Sequence, residues 1–267
     1  MATKKSAVKD LTNGSPVKLI LGFALPLLLG MLFQQFYSMV DTIIVGKFLG
    51  AKALAAVGST GSINFMIVGF CMGVCSGFAI PVAQKFGAGD YDGMRKFVAN
   101  AGWLSAVFAA VMTTIVGFLC MRILQCMNTP EDIIHGAYDY IFVIFLGIPV
   151  TYLYNMLAGI IRSLGDSKTP VYFLLLSSLM NIALDFFTIL VLGMGVRGPA
   201  LATVISQGIS AVLCLIYIRW KVPVLQLGRR WFIFDSSLLK KTISYGWTSA
   251  MQQATVQLGT IAIQAIV

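Results

Sequence analysis

The stretch NIALDFFTILVLGMGVRGPALATVISQ, residues 181–207, decides the fold. It reads as two apolar helices joined by a short glycine-rich turn. Asn181 and Asp185 lie one helical turn apart on the first helix and so share a face. The second opens at Pro199 and carries Thr203, Ser206, Gln207 and Ser210 on one face. A carboxylate at the centre of a membrane helix costs about 2.5–3.5 kcal/mol on insertion scales. The default explanation for keeping one is an ion or proton site facing a bundle interior.

The rest of the chain supports a membrane reading. Of its 267 residues, 58% are hydrophobic and only 11% charged, and the mean hydropathy is +0.87. Soluble domains carry about a quarter charged residues. The 26 glycines fit, because small residues let membrane helices approach closely. A net charge of +9 could suggest nucleic acid. The basic residues are instead scattered between apolar runs, as cytoplasmic loops require, so no nucleic-acid partner is expected. All five cysteines lie in or beside apolar segments. Cys71 and Cys75 share a helix face, but two thiols without further ligands make a poor metal site, and small buried hydrophobes is the simpler reading. The first apolar run is too long for a cleavable signal, and no small-residue cleavage site follows it.

A span takes about 20 apolar residues. Seven segments qualify: 17–45, 55–82, 98–121, 133–161, 170–192, 199–218 and 243–267. With the N-terminus inside, the cytoplasmic side collects 15 lysines and arginines and the other side four: Lys47, Lys52, Arg122 and Arg197. That split predicts a cytoplasmic N-terminus, and the cell (inner) membrane is the expected location. The linker between helices six and seven mixes basic residues with Trp220, Trp231, Phe232 and Phe234, the composition of an interfacial amphipathic segment. The seventh segment aligns with the first: Lys18 falls on Lys240, Gly22 and Phe23 on Ser244 and Tyr245, Gln35 on Gln257. Parallel repeats are a common transporter plan. The expected fold is an all-α polytopic membrane protein: a six-helix transmembrane bundle plus a seventh transmembrane helix, one lobe of a two-lobe transporter. Its parts are a cytoplasmic tail (1–16), the six-helix lobe (17–218), a cytoplasmic linker (219–242) and the first helix of a truncated second lobe (243–267). Helices one to six should pack as one bundle, and the seventh should leave it.

Gln34, Tyr37, Ser38 and Asp41 form a polar stripe on the first helix, at spacings of three, four and seven. At 1.5 Å rise per residue, Asp185 lies roughly 22 Å from the start of its helix at Pro170, in the outer half. Asp41 and Thr203 fall at similar depth, so the three can converge. Two carboxylates in a desolvated site cannot easily both ionise. Such a pair can trade a proton, or bind a monovalent cation with Asn181, Thr203 and a backbone carbonyl. The bland alternative is interhelical hydrogen bonding, worth about 0.6–2 kcal/mol per bond. For Asn155, Asn181 and Thr203 alone that suffices; two acids at matched depth favour a site. Pro26 and Pro149 read as prolines inside helices, with Pro26 a hinge candidate. Glu131, Asp132, His135 and Asp139 read as solvated residues at the outer start of the fourth helix. With one histidine, no nucleophile elbow and no phosphate-binding glycine loop, the chain is not expected to be an enzyme.

Three stretches resemble the multidrug and toxic compound extrusion (MATE) family. They are QKFGAGD at 84–90, RSLGDSKTP at 162–170, and 181–207 with its LD, GVRGPALAT and SQ. The pairing of Asp41 with Asn181 and Asp185 resembles the DinF-like branch. The resemblance implies twelve helices in two lobes, of which this chain lacks most of the second, and no cofactor beyond H+ or Na+ as coupling ion. It implies a cation site, for H+ or Na+, at Asp41, Asn181, Asp185 and Thr203. It implies a substrate cavity lined by Gln34, Tyr37 and Asn155. The function expected is a cation-coupled antiporter that exports small organic, often cationic, drugs or toxic compounds across the lipid bilayer by alternating access. A lipid-linked precursor flippase of the same superfamily would need a large cationic cavity, whereas the membrane-depth charges here are acidic. A non-transporting membrane fragment is the third reading.

Overall fold

A computed structural model describes residues 14–225 and 235–266, with side chains through 259. Among them, all regular structure is helical. The N-terminal tail lies mostly outside the described residues, as do Trp231, Phe232 and Phe234 of the linker. The helices are α1 (Pro16–Leu49), α2 (Ala51–Ser59), α3 (Gly61–Gly87), α4 (Tyr91–Cys126), α5 (Glu131–Leu146), α6 (Ile148–Ser163), α7 (Lys168–Phe186), α8 (Arg197–Lys221) and α9 (Ser236–Ile266).

Helix starts follow local chemistry. Pro16 opens α1, where a missing N–H costs nothing. Asp90 caps α4 by accepting from the Gly93 N–H at 2.8 Å. Asp235 caps α9, accepting from the N–H groups of Ser237 at 2.9 Å and Leu238 at 3.3 Å.

The expected spans are less continuous than the hydropathy implies. The second breaks at Thr60, between α2 and α3, where the Thr60 hydroxyl donates to the Val57 carbonyl at 2.7 Å. The fourth bends by 46° between α5 and α6. A Cβ on Gly147 at that bend would collide with Val204 of α8, so glycine lets the two elements meet. Pro149 is therefore not in a helix interior. It occupies the first turn of α6, where its ring is tolerated. Pro26 is inside α1, and Pro81, which sequence reasoning did not single out, is inside α3. The turn after α7 begins as a π-helix, Phe187–Val191, and α8 starts at Arg197, two residues before Pro199.

Among the described residues, five spans are long and apolar enough to cross a membrane: α1, α2 with α3, α4, α7 with its π turn, and α8. The bent pair α5–α6 makes a sixth. The 31-residue α9 is long enough but is not among them; Gln252, Gln253 and Gln257 lower its hydropathy. Large apolar side chains point outward, including Phe36, Val111, Phe118 and Leu179. In water such a surface would drive association; in a bilayer it is the solvent-facing side.

The core centres on α3, which packs against α4, α6 and α9. The expectation that the seventh helix leaves the bundle is overturned, because α9 lies closely along α3. Three glycines explain the fit. A Cβ on Gly73 would sit 2.7 Å from the Ala250 Cα, one on Gly77 2.5 Å from the Gly246 Cα, and one on Gly246 2.5 Å from the Phe78 ring. Small residues at these points bring the two backbones together. Peripheral α1 lies along α7 with only Gly30, Ile44 and Val45 buried; Gly30 faces Val171.

Candidate cation site

Asp41 of α1 and Asp185 of α7 bring their carboxyl groups within hydrogen-bonding distance of each other. A hydrogen bond between two carboxyl groups requires a proton between them. Asn181 carries the amide orientation that satisfies both its ends. Its nitrogen donates to Asp185 Oδ2 at 3.1 Å, and its oxygen accepts from the Thr203 hydroxyl at 3.2 Å and the Thr203 backbone N–H at 3.1 Å. Tyr37, one turn from Asp41 on α1, hydrogen-bonds Thr203. Asn181 and Asp185 are buried, at 1% and 0% exposure. Asp41 Oδ1 and Asp185 Oδ1 are buried without a protein hydrogen-bond partner. Buried polar atoms are usually paired, and these two oxygens are exceptions.

The local fold aims these groups. Helical spacing puts Tyr37 and Asp41, and Asn181 and Asp185, on one face each. Past Asp185, the Thr188 hydroxyl donates to the Asp185 carbonyl at 3.2 Å, and the π turn follows. Gly193 and Gly195 take φ of +60° and +58°, which turns the chain back. A Cβ on Gly198 would sit 2.8 Å from Thr188 Oγ1, so glycine there seats α8 against the π turn and presents Thr203 to Asn181.

One neighbour escaped the sequence reading. Tyr140 of α5 is buried within electrostatic reach of Tyr37, Asp41 and Asp185. No motif marks it. Only its spacing with Ala137, Ile141 and Ile144 on the buried stripe of α5 was available as a signal. Asp139 beside it is not merely solvated: it accepts from Arg197 at 2.7 Å and ties α5 to the start of α8.

The three residues assigned to a substrate cavity do not share one. Gln34 is exposed on α1, and Tyr37 faces Thr203. Asn155 donates to the Thr151 carbonyl at 2.8 Å and lines a small cavity between α3 and α6, with Val68, Cys71, Met72, Cys75, Ile148, Thr151 and Tyr152.

A family profile decides what kind of protein this is: MatE matches residues 26–187, which holds both carboxylates and Asn181. The chain belongs to the MatE family. It is 32% identical to the probable multidrug resistance protein YoeA of Bacillus subtilis (strain 168), over 92% of this chain and 54% of that protein. It is 30% identical to YpnP of the same organism, also named a probable multidrug resistance protein, over 97% of this chain and 58% of that one. A MOP superfamily transporter from Pyrococcus furiosus Vc1 superposes with a TM-score of 0.88 at 26% identity, covering 97% of this chain and 57% of that one. The chain thus spans little more than half the length of these relatives.

In this MatE chain the other two resemblance stretches are structural. In 84–90, Lys85 pairs with Asp90 at 2.7 Å, and Gly89 turns the chain at φ +72°. The Lys85 ammonium, and then the Gly93 N–H, hold the Asp90 carboxyl below its ordinary range. In 162–170, Asp166 accepts from the N–H groups of Lys168 and Thr169 at 3.1 Å each. It also accepts from the Thr169 and Tyr217 hydroxyls at 2.6 Å each, clamping the start of α7 to α8.

Proposed function

We propose that this MatE chain forms the cation-coupling lobe of an antiporter that exports small organic compounds. The observation that carries the reading is the Asp41–Asp185 pair, held between α1 and α7 in an apolar bundle. Asn181, Thr203, Tyr37 and Tyr140 surround it. All six groups lie within this chain, so the site does not wait on another lobe for its ligands. A proton held between the carboxyls can leave when a monovalent cation takes the free oxygens. Na+ would be held by Asp41 and Asp185, with the Asn181 amide oxygen and the Thr203 hydroxyl turning to it from their bond to each other; oxygen donors suit such a hard cation. Coupling then needs cation and substrate to favour opposite conformations. Alternating access would set this lobe rocking against a second one, in the cell membrane with the N-terminus cytoplasmic. Pro26, inside a helix that is largely unburied, is the hinge this motion would use. The names of YoeA and YpnP support drugs as the exported class.

The test is cation binding by the purified chain in lipid nanodiscs, followed as radioactive sodium retention and as proton release on adding sodium. The wild type should do at least one of the two in a Na+- or pH-dependent way. Asp41→Asn and Asp185→Asn should each abolish it. Unchanged binding and proton release in both variants would leave only interhelical hydrogen bonding.

A further inference from the structure

Outside the carboxylate site, the cavity between α3 and α6 gathers sulfur. Cys71 and Cys75 lie one turn apart on α3, are 4% and 3% exposed, and line the same small cavity. Residues at this spacing are face neighbours. Met72 lines the cavity with them and offers a thioether. Both thiols are free, and the Cys75 thiol donates only to the Tyr152 carbonyl at 3.7 Å.

A second observation lies beside them. The guanidinium of Arg162, at the end of α6, is within electrostatic reach of Tyr154, Cys75 and Cys214. Among the described residues it forms neither an ion pair nor a hydrogen bond. A partly buried cation ordinarily has an anionic partner, and no carboxylate supplies one here.

We infer that Cys71 and Cys75 bind a soft monovalent metal ion of the Cu+ or Ag+ class, with Arg162 neutralising the complex. Each thiol releases its proton to solvent, and each sulfur forms one bond to the metal. No electron is transferred. Two thiolates and one monovalent ion leave a single negative charge, which the Arg162 cation balances. Soft thiolate and thioether donors select this class of ion. A structural zinc site takes four ligands, and no group of three His, Cys, Asp or Glu residues capable of holding a metal exists among the described residues. Cu+ and Ag+ accept low coordination numbers, so two thiolates, with the Met72 thioether as a third donor, suffice. The poor prospects of two thiols alone are changed by the two residues the fold adds, Met72 and Arg162.

The experiment loads the purified chain in nanodiscs with Cu+ under reducing conditions and challenges it with a chromophoric Cu+ chelator. Wild type and the Cys126→Ser variant, which alters an exposed thiol, should each retain one ion. Cys71→Ser and Cys75→Ser should surrender it. Arg162→Gln should weaken retention by about 10–100-fold, the range for outer-shell partners, and Arg162→Lys should restore most of it. X-ray absorption on the loaded wild type does not depend on any variant folding, and should show copper bonded to sulfur alone. A nitrogen or oxygen shell, loss of all copper from the wild type to the chelator, or full retention in both serine variants would overturn the assignment.

Discussion

Asn181 on α7 accepts two hydrogen bonds from the single residue Thr203 on α8, through its hydroxyl at 3.2 Å and its backbone N–H at 3.1 Å. The amide nitrogen is thereby left for Asp185 alone. One side chain therefore sets the α7–α8 register and the orientation of the carboxylate.

Asn181→Leu should cost about 1–3 kcal/mol, because it strands buried partners on both sides. Ser178→Ala, three residues away, removes only a bond back to the Leu174 carbonyl and should cost far less. Thermal unfolding in detergent compares the two. Equal losses would show that Asn181 carries no special burden.

A protonated carboxyl group has an infrared carbonyl band that an ionised one lacks. The wild type should show such a band, and both Asp41→Asn and Asp185→Asn should remove it. Persistence of the band in both variants would place the proton elsewhere.

Gly77→Ala should destabilise by about 1–3 kcal/mol, as overpacking does, since its Cβ would press on the α9 backbone. Gly102→Ala and Gly117→Ala meet nothing within 4 Å and should be neutral or slightly stabilising through helix propensity. Melting temperatures decide it; a tolerant Gly77→Ala would mean that α9 does not hold its place along α3.

Much of this was legible in sequence for a physical reason. A membrane helix announces itself through length and hydropathy, and a carboxylate within one is rare enough to stand out. Asp41 and Asp185 therefore stand out in sequence, and the fold brings them together with Asn181 and Thr203. Breaks in helices are less visible. The Gly147 bend sits inside an apolar run, and the GSTGS stretch around Thr60 is too short to interrupt one, so 55–82 and 133–161 read as single rods. Tyr140 is an apolar-looking residue on an apolar stripe, and only its neighbours reveal it. The close packing of α9 depends on Gly73, Gly77 and Gly246 meeting across some 170 residues of chain, which no local pattern encodes. Gln34 and Asn155 were grouped with Tyr37 by resemblance, and the fold sends them to different surroundings.

Acid should expose the worth of the Lys85–Asp90 pair. The Asp90 carboxyl is held below its ordinary value in the folded chain. Its contribution is therefore complete above the unfolded value, about 3.9, and is lost as pH falls through the folded value. Asp90→Asn, which still offers a capping oxygen, should be less stable than wild type at neutral pH. The gap should close as pH drops below about 4. A gap that widens in acid would contradict the sign. The melting temperature of both proteins across that pH range is the measurement.

The π turn Phe187–Val191 has a consequence for tolerance to length change. A wider turn takes up one residue more than an α-helical path between the same end points. Straightening it into α-helix would rotate everything beyond it by about 100° and swing the Gly193–Gly195 hairpin off the face that seats Gly198. Removing one residue from 187–191, by contrast, lets the segment shorten without turning what lies on either side. The segment is thus a one-residue slack in an otherwise taut rod. Deletion of Leu190 should leave a folded chain, whereas deletion of Leu179, upstream of Asn181, should shift both site residues off their face and unfold the pairing. Size-exclusion profiles and melting temperatures of the two deletions give the comparison.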